Sequence, residues 1–97
     1  MPAYAIFTLH KLYDADKMSA YRRHAKHSLD KYGAIPRVVR GKQTVLEGDD
    51  GIAMVMLEFE SYDKAMAWYH SPEYQESKKI REGAGDITTV IVEGFEA

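Results

Sequence analysis

The sequence predicts an α+β fold, ordered βαββαβ, in which a four-stranded antiparallel sheet carries its helices on one face. Three observations predict it. Four runs rich in β-branched and aromatic residues are spread along the chain. A long amphipathic stretch separates the first run from the second, and two short helical stretches separate the third from the fourth. With right-handed crossovers this order gives the strand order 4-1-3-2, and residues 1–97 are expected to form one domain.

The first strand covers residues 3–10, AYAIFTLH, and a helix follows it. Asp14 or Asp16 is the expected N-cap, because either carboxylate accepts a hydrogen bond from a free N–H of the first turn. One helix face recurs every three or four positions, at Met18, Tyr21, Ala25, Leu29 and Tyr32. Gly33 is expected to end the helix, since glycine accepts the positive φ of a C-terminal cap.

The second strand is predicted within residues 35–46, IPRVVRGKQTVL, interrupted at Gly41. Pro36 has no N–H to donate, so this strand belongs at an edge of the sheet. The strand order places it at an edge independently. A turn is expected at residues 47–51, EGDDG, and the third strand at residues 52–60, IAMVMLEFE.

Two short helices and a fourth strand complete the chain. Ser61, or the two residues after it, caps a helix that runs through Tyr69. The His-Ser-Pro sequence breaks this helix, and Pro72 suits the first turn of the next one, predicted to reach about Glu82. The sequence GAGD then turns the chain into the last strand, ITTVIVEGF.

Apolar side chains occupy both faces of the predicted sheet. In the third strand Val55 and Leu57 point one way, whereas Met54 and Met56 point the other way. The helices cover only one face, and an uncovered apolar sheet face marks an interaction surface. We therefore expect a homodimer closed sheet to sheet about a two-fold axis. The alternative is that polar side chains or a terminal segment shield this face.

Polar residues share that second face with the methionines. Thr8, His10 and Glu58 have its parity. Because a charged group among apolar side chains must be paired or solvated, Glu58 either forms a salt bridge with Arg37 or Arg40 or lines a polar pocket.

The composition argues against several classes of protein. The net charge is −2 with both signs interspersed, so no nucleic-acid partner is expected, and the basic run over residues 21–27 is typical of a solvated helix face. Cysteine is absent, which excludes disulfides, cysteine metal ligands and a thiol nucleophile. The start of the chain has too few apolar residues for a signal peptide or a membrane span, so we expect a cytoplasmic protein without membrane association.

The sequence resembles a domain-of-unknown-function family, numbered thirteen-thirty, in the dimeric α/β-barrel superfamily. The resemblance runs nearly the whole chain, through YGA, VVRGK, VLEGDD, LEFESYDKAMAWYHSPEYQESKKIR and VIVEG. It implies a ferredoxin-like fold and a homodimer, and it implies no established activity. Arg40 with Gly41 matches the strand arginine of the family. The chain departs from the family at Gly33-Ala34 and Gly41-Lys42, where the family favours glycine pairs.

Aromatic residues around the Ser-Pro break are candidates for a binding site. Trp68, Tyr69 and Tyr74 either pack two short helices together or form one wall of a pocket with a phenol at its mouth. Tyr21, on the inward face of the long helix, is a further substrate-binding candidate.

Arg40 and Arg81 are the candidates for orienting an anion. Arg81, at a helix end, either pairs with Glu73 or Glu82 or holds a substrate carboxylate through two hydrogen bonds. Glu58 is a substrate-binding candidate if it lines a pocket.

Two histidines are candidates for a catalytic group. His24, beside Tyr21 and Ser28 on the inner margin of its helix, is the first candidate to move a proton, and His10 is the second. His24 and His27 have a spacing that suits metal binding, but no third ligand stands out. We therefore expect neither a metal nor another cofactor.

Two functional hypotheses follow. In the first, the protein is a cofactor-free enzyme that binds an acidic or carbonyl-bearing metabolite between sheet and helices, as relatives in the superfamily imply. In the second, it is a dimeric binding or accessory module without chemistry of its own. A minor alternative is a tautomerase-like use of Pro2 as an N-terminal base after removal of Met1.

Overall fold

The computed structural model describes residues 1–48 and 51–96, so two residues of the predicted turn, Asp49 and Asp50, lie outside it. Within the described residues the elements are β1 (Ala3–Leu12), α1 (Ala15–Lys31), β2 (Ile35–Val39), β3 (Ala53–Phe59), α2 (Tyr62–Tyr69), α3 (Pro72–Ile80) and β4 (Gly85–Glu93). The strands form one antiparallel sheet in the order β2-β3-β1-β4. This is the predicted order 4-1-3-2 counted from the other edge, and the predicted α+β fold is confirmed.

Local sequence signals set the ends of the helices. Asp14 is the N-cap of α1, and its carboxylate accepts a hydrogen bond from the Lys17 N–H at 3.0 Å. Gly33 has a φ of +70° and follows the end of α1, as predicted. Ser61 and Ser71 cap α2 and α3 through their hydroxyl groups. β1 ends two residues later than predicted, and β4 begins two residues earlier.

β2 is shorter than the sequence predicts. It ends at Val39, because Arg40 has a φ of +51°, which breaks the extended backbone. Residues 41–48 form no strand, so the prediction of a strand reaching residue 46 is wrong. Pro36 lies on an edge strand as predicted, and the register with β3 shifts just after it.

Trp68 lies at the centre of the core, with 1% of its surface exposed. Its ring centroid is 4.2 Å from that of Tyr74 and 5.1 Å from that of Phe59, and the Phe7 ring meets it edge-on at 6.2 Å. The indole Nε1 donates a hydrogen bond to Ser28 Oγ at 3.2 Å. Trp68 therefore joins α2 to the sheet, to α1 and to α3.

The opposite face of the sheet is apolar and uncovered in the single chain. The register places Ile6 opposite both Met56 and Val90, and Tyr4 opposite Val92. Val90 is 46% exposed and Val92 is 43% exposed. The predicted second apolar face is present.

We expect Trp68→Ala to lower the free energy of unfolding by about 3–5 kcal/mol, because a buried ring and its hydrogen bond to α1 are both lost. Urea denaturation followed by circular dichroism measures the change. Trp68→Phe, which keeps an aromatic ring in the core, is the matched control and should cost less. A loss below about 1 kcal/mol for the alanine variant would contradict this role for Trp68.

Candidate functional site

A cleft opens between α1 and the sheet. α1 packs mainly against α3 and contacts the strands much less, which leaves a volume of about 270 Å³ between its inner side and strands β1, β2 and β3. The small side chains of Ala25 and Ala53 line the cleft and leave it open. Larger apolar side chains build its walls, among them Phe7, Leu9, Met18, Val55, Leu57 and Trp68.

Cations lie at the rim of this cleft. Arg22 and Lys26 come from α1 and Arg40 from the end of β2, and among the described residues no acidic side chain lines the cleft. Partial burial and the nearby positive charges of Arg40 and Arg23 lower the pKa of Arg22. Like charges crowded in this way favour the binding of an anion.

Arg37 and Arg40, one within β2 and one directly after it, have different surroundings. Arg40, at positive φ, donates its backbone N–H to the Met54 carbonyl at 2.8 Å and lines the cleft. Arg37 instead donates from Nε to Glu58 Oε1 at 3.2 Å. Glu58 therefore forms the salt bridge that was one of its two predicted roles, with Arg37 as the partner.

Tyr21 connects the cleft to a polar cluster between α1 and α3. Its hydroxyl oxygen lies 2.7 Å from that of Tyr74, and the Arg81 guanidinium lies over the Tyr21 ring at 5.1 Å. Arg81 Nη2 donates a long hydrogen bond of 3.5 Å to the Tyr74 hydroxyl. Burial, followed by the contact with Tyr74, raises the pKa of Tyr21 far above its ordinary value, so the phenol is protonated at neutral pH. Within the described residues, Arg81 forms no salt bridge with either predicted partner, Glu73 or Glu82.

A second depression, of about 380 Å³, lies on the other flank of α1. His24 Nδ1 is 2.6 Å from Ser77 Oγ, and this hydroxyl also lies 3.2 Å from the Glu73 carbonyl oxygen. Lys31 Nζ donates to Glu73 Oε1 at 2.8 Å and lowers the pKa of Glu73. The depression is lined by Arg23, His24, His27, Ser28, Glu73 and Glu76.

The structure divides the predicted site residues among four places. Arg40, Tyr21 and Trp68 come together at the cleft. His24 lies on the opposite flank of α1. Tyr74 and Arg81 reach the cleft only through Tyr21, and Tyr69 packs on Trp68 and Tyr74. The remaining two candidates, His10 and Glu58, lie on the outer face of the sheet, where His10 Nε2 is 2.9 Å from Thr88 Oγ1.

Two cations of the cleft were not among the predicted site residues. Arg22 and Lys26 are four residues apart on α1, each directly after an inward-facing residue, Tyr21 or Ala25. The available signal was this i, i+4 pair of cations beside the apolar helix face. Periodicity alone does not show that this margin of the helix faces a cleft.

Neither a metal-binding cluster nor a membrane-spanning helix is found in the part of the chain that the structure describes. No group of three or more histidine, aspartate or glutamate side chains is arranged to hold a metal ion. No helix in residues 1–48 or 51–96 has the length and apolar character needed to cross a membrane.

Comparisons with known proteins identify a family without an assigned function. The sequence model of a domain of unknown function, DUF1330, matches residues 2–95. No curated protein matches the sequence. The sequence signals named above, from YGA to VIVEG, lie within this matched range.

Solved structures show the same fold at low sequence identity. A protein of unknown function from Rhodopseudomonas palustris is 16% identical with a TM-score of 0.74, and the match covers 99% of this chain and 84% of that one. A dimeric ferredoxin-like protein of unknown function from a Jannaschia species is 14% identical with a TM-score of 0.68, over 97% and 100% of the two chains. SnoaB, a cofactor-independent oxygenase from Streptomyces nogalater solved as a point variant, is 12% identical with a TM-score of 0.64, over 99% and 93%. The ferredoxin-like fold is thereby confirmed.

We expect Lys31→Met to raise the pKa of Glu73 toward its ordinary value, because the ammonium group that stabilises the carboxylate is removed. Carboxyl carbon shifts in an NMR pH titration measure it. Since the folded state lowers this pKa, the stabilisation is present above the pKa of an unfolded glutamate, about 4.3, and is lost as the pH falls through the folded value. Lys79→Met, on the exposed side of α3, is the control, and an unchanged Glu73 titration in Lys31→Met would contradict the ion pair.

Proposed function

The chain belongs to the DUF1330 family, a domain of unknown function, and we propose that it binds an amphipathic organic anion in the cleft between α1 and the sheet. The apolar body of the ligand would lie against the cleft walls. Its acidic group would meet the cations at the rim. We propose further that the protein acts as a homodimer.

One observation carries the binding proposal. Among the described residues, the charged side chains that line the cleft, Arg22, Lys26 and Arg40, are all cationic, whereas nearly all the remaining lining is apolar. An apolar ligand would leave the cations without a counter-ion, and an inorganic anion would leave the apolar walls wet. An amphipathic acid satisfies both. A volume of about 270 Å³ suits one or two rings or a short chain.

Ligand binding has more support than catalysis in this cleft. His24 and His10, the two candidates for proton transfer, lie outside the cleft, on the other flank of α1 and on the outer sheet face. The structural likeness to an oxygenase, at 12% identity, supports the fold alone. The enzyme hypothesis stays a prediction, in which Arg40 would orient an acidic substrate.

The tautomerase-like alternative has less support still. Pro2 precedes β1 and lies five residues before Phe7, which places it roughly 16 Å from the cleft along an extended strand. Its carbonyl oxygen accepts a hydrogen bond from the Gly94 N–H at 2.7 Å. A catalytic N-terminal proline requires a pocket at that residue, and Pro2 lines neither cavity described above.

The homodimer proposal rests on the outer face of the sheet. Alternate residues of β1, β3 and β4 present apolar side chains there, including Ile6, Met56, Val90 and Val92. A second copy of the chain could cover this face sheet to sheet, with an interface of the usual order of 800 Å² per partner. Structural neighbours described as dimeric ferredoxin-like proteins support this arrangement.

The binding proposal is tested by titrating the protein with 2-naphthoate while following the fluorescence of Trp68, the single tryptophan of the chain. Because Trp68 lines the cleft, we expect its emission, corrected for absorption by the naphthoate, to change when the cleft is occupied. We expect Arg40→Gln to raise the dissociation constant about tenfold, the effect of losing one charge-assisted hydrogen bond. Arg37→Gln, which removes an arginine from the outer face, is the matched control and should leave the affinity unchanged.

Two results would contradict the electrostatic basis of this binding. In the first, 2-naphthylmethylamine, a cation of nearly the same shape, binds as tightly as 2-naphthoate. In the second, Arg37→Gln weakens naphthoate binding as much as Arg40→Gln does. Either result would mean that the rim cations do not select the ligand.

For the homodimer, we expect the double substitution Val90→Lys with Val92→Lys to convert a dimer of 11.0 kDa chains into monomers, because two charges would then be buried in the interface. Native mass spectrometry measures the subunit number. Tyr62→Lys places a charge at a similarly exposed position on α2 and is the control. A wild-type protein that is monomeric at micromolar concentration would refute the proposal.

A further inference from the structure

The Tyr21–Tyr74 pair has two hydroxyl hydrogens and one hydrogen bond between its oxygens. Each phenol has one hydroxyl hydrogen, and the 2.7 Å contact between the two oxygens uses only one of the two hydrogens. Among the described residues, neither hydroxyl has a carbonyl or carboxylate oxygen within hydrogen-bond distance. One hydroxyl hydrogen of the pair is therefore left without an acceptor in the part of the chain that the structure describes.

The surroundings determine which phenol keeps the free hydrogen. Arg81 can only donate, and its Nη2 donates to the Tyr74 hydroxyl oxygen. Tyr74 is completely buried, so a free hydrogen there would carry the cost of an unsatisfied buried donor. Tyr21 is only partly buried and lines the cleft. The stable arrangement is thus Arg81 to Tyr74 and Tyr74 to Tyr21, which leaves the free hydrogen on Tyr21, the member of the pair that lines the cleft.

The charge of Arg81 strengthens this last donor. No carboxylate of the described residues neutralises the guanidinium, and its Nε is buried without a hydrogen-bond partner. A cation at the start of a chain of hydrogen bonds polarises each following donor. The raised pKa of Tyr21 keeps its hydroxyl protonated across the neutral range, so the donor is present at working pH.

We propose that Arg81, Tyr74 and Tyr21 form a hydrogen-bond donor chain ending in the cleft, where the Tyr21 hydroxyl binds a carbonyl oxygen on the body of the ligand. This inference rests on the proposed binding of an amphipathic acid and narrows its class. The ligand is an acid with a second oxygen acceptor, such as a keto acid, whose carboxylate meets the rim cations. Tyr21 contacts the ligand, whereas Tyr74 and Arg81 act through Tyr21 as positioning residues.

Two probe acids of nearly equal shape test the donor. 4-Acetylbenzoate carries a ketone where 4-ethylbenzoate carries a methylene group, and both have the carboxylate that the cleft is proposed to bind. We expect the ketone to bind about fivefold tighter, the worth of one net hydrogen bond. Tyr21→Phe, which keeps the ring, should abolish this preference and leave the affinity for 4-ethylbenzoate unchanged, which also shows that the variant is folded.

The role of Arg81 is tested by the carbonyl stretching frequency of bound 4-acetylbenzoate, in an isotope-edited infrared difference spectrum. A hydrogen bond from Tyr21 lowers this frequency relative to the Tyr21→Phe complex. Arg81→Met should bring the frequency back part of the way, because the donor loses its polarising charge. Lys78→Met is the matched control, since Lys78 is a cation of α3 whose ammonium lies over the Tyr69 ring, outside the donor chain. A merely structural role for Arg81 would leave the frequency unchanged.

The outcomes separate this inference from the proposed function. Equal affinities for the two acids, both still weakened by Arg40→Gln, would overturn the donor chain and leave the anion cleft standing. Binding of neither acid would overturn both. A preference for the ketone that persists in Tyr21→Phe would assign the carbonyl to another donor and overturn the chain.

Discussion

The indole of Trp68 is the contact on which the rest of the structure depends. Its rings pack on Phe59 and Tyr74, and its N–H binds Ser28 on α1. Because this hydrogen bond is made inside the core, the position of α1 at Ser28 is set by a buried donor and acceptor that have little freedom to move. α1 then packs along α3 and leaves the sheet uncovered beside β2 and β3. The cleft is the space that remains.

Side-chain size and charge give this space its character. Ala25 and Ala53 are too small to fill it, whereas leucine at either position would carry core packing into the cleft. The cations that surround it come from two elements that meet only in the folded chain, α1 with Arg22 and Lys26, and the end of β2 with Arg40. A chain of net charge −2 thus concentrates positive charge at one opening. Local geometry, not overall composition, sets the charge of the side chains around this opening.

The sequence predicts what depends on local signals and misses what depends on the packing of distant segments. The caps, the Gly33 stop and the edge position of Pro36 follow from chemistry within a few residues, and the structure contains them. The end of β2 does not follow from local chemistry, since nothing in the neighbouring residues requires a positive φ at Arg40. The helical period places His24 on a margin of α1, but it does not show that α3 lies beside that margin. Arg81 likewise lies near two glutamates in sequence, yet its guanidinium lies over the ring of Tyr21, which the fold brings from α1.

The two faces of the sheet are mechanically linked, because each strand contributes alternate residues to both. Val39 pairs with Val55, and both lie on the cleft side of the sheet. Val38 pairs with Met56, and both lie on the outer side. β2 is an edge strand held by β3 alone, and Arg40 follows it directly. A partner chain closing over Val38 would therefore immobilise the strand that carries Arg40 to the cleft rim. In such a dimer the surface that joins the subunits would also reduce the conformational entropy that the proposed anion site loses on binding, since the strand that precedes Arg40 would already be held in place.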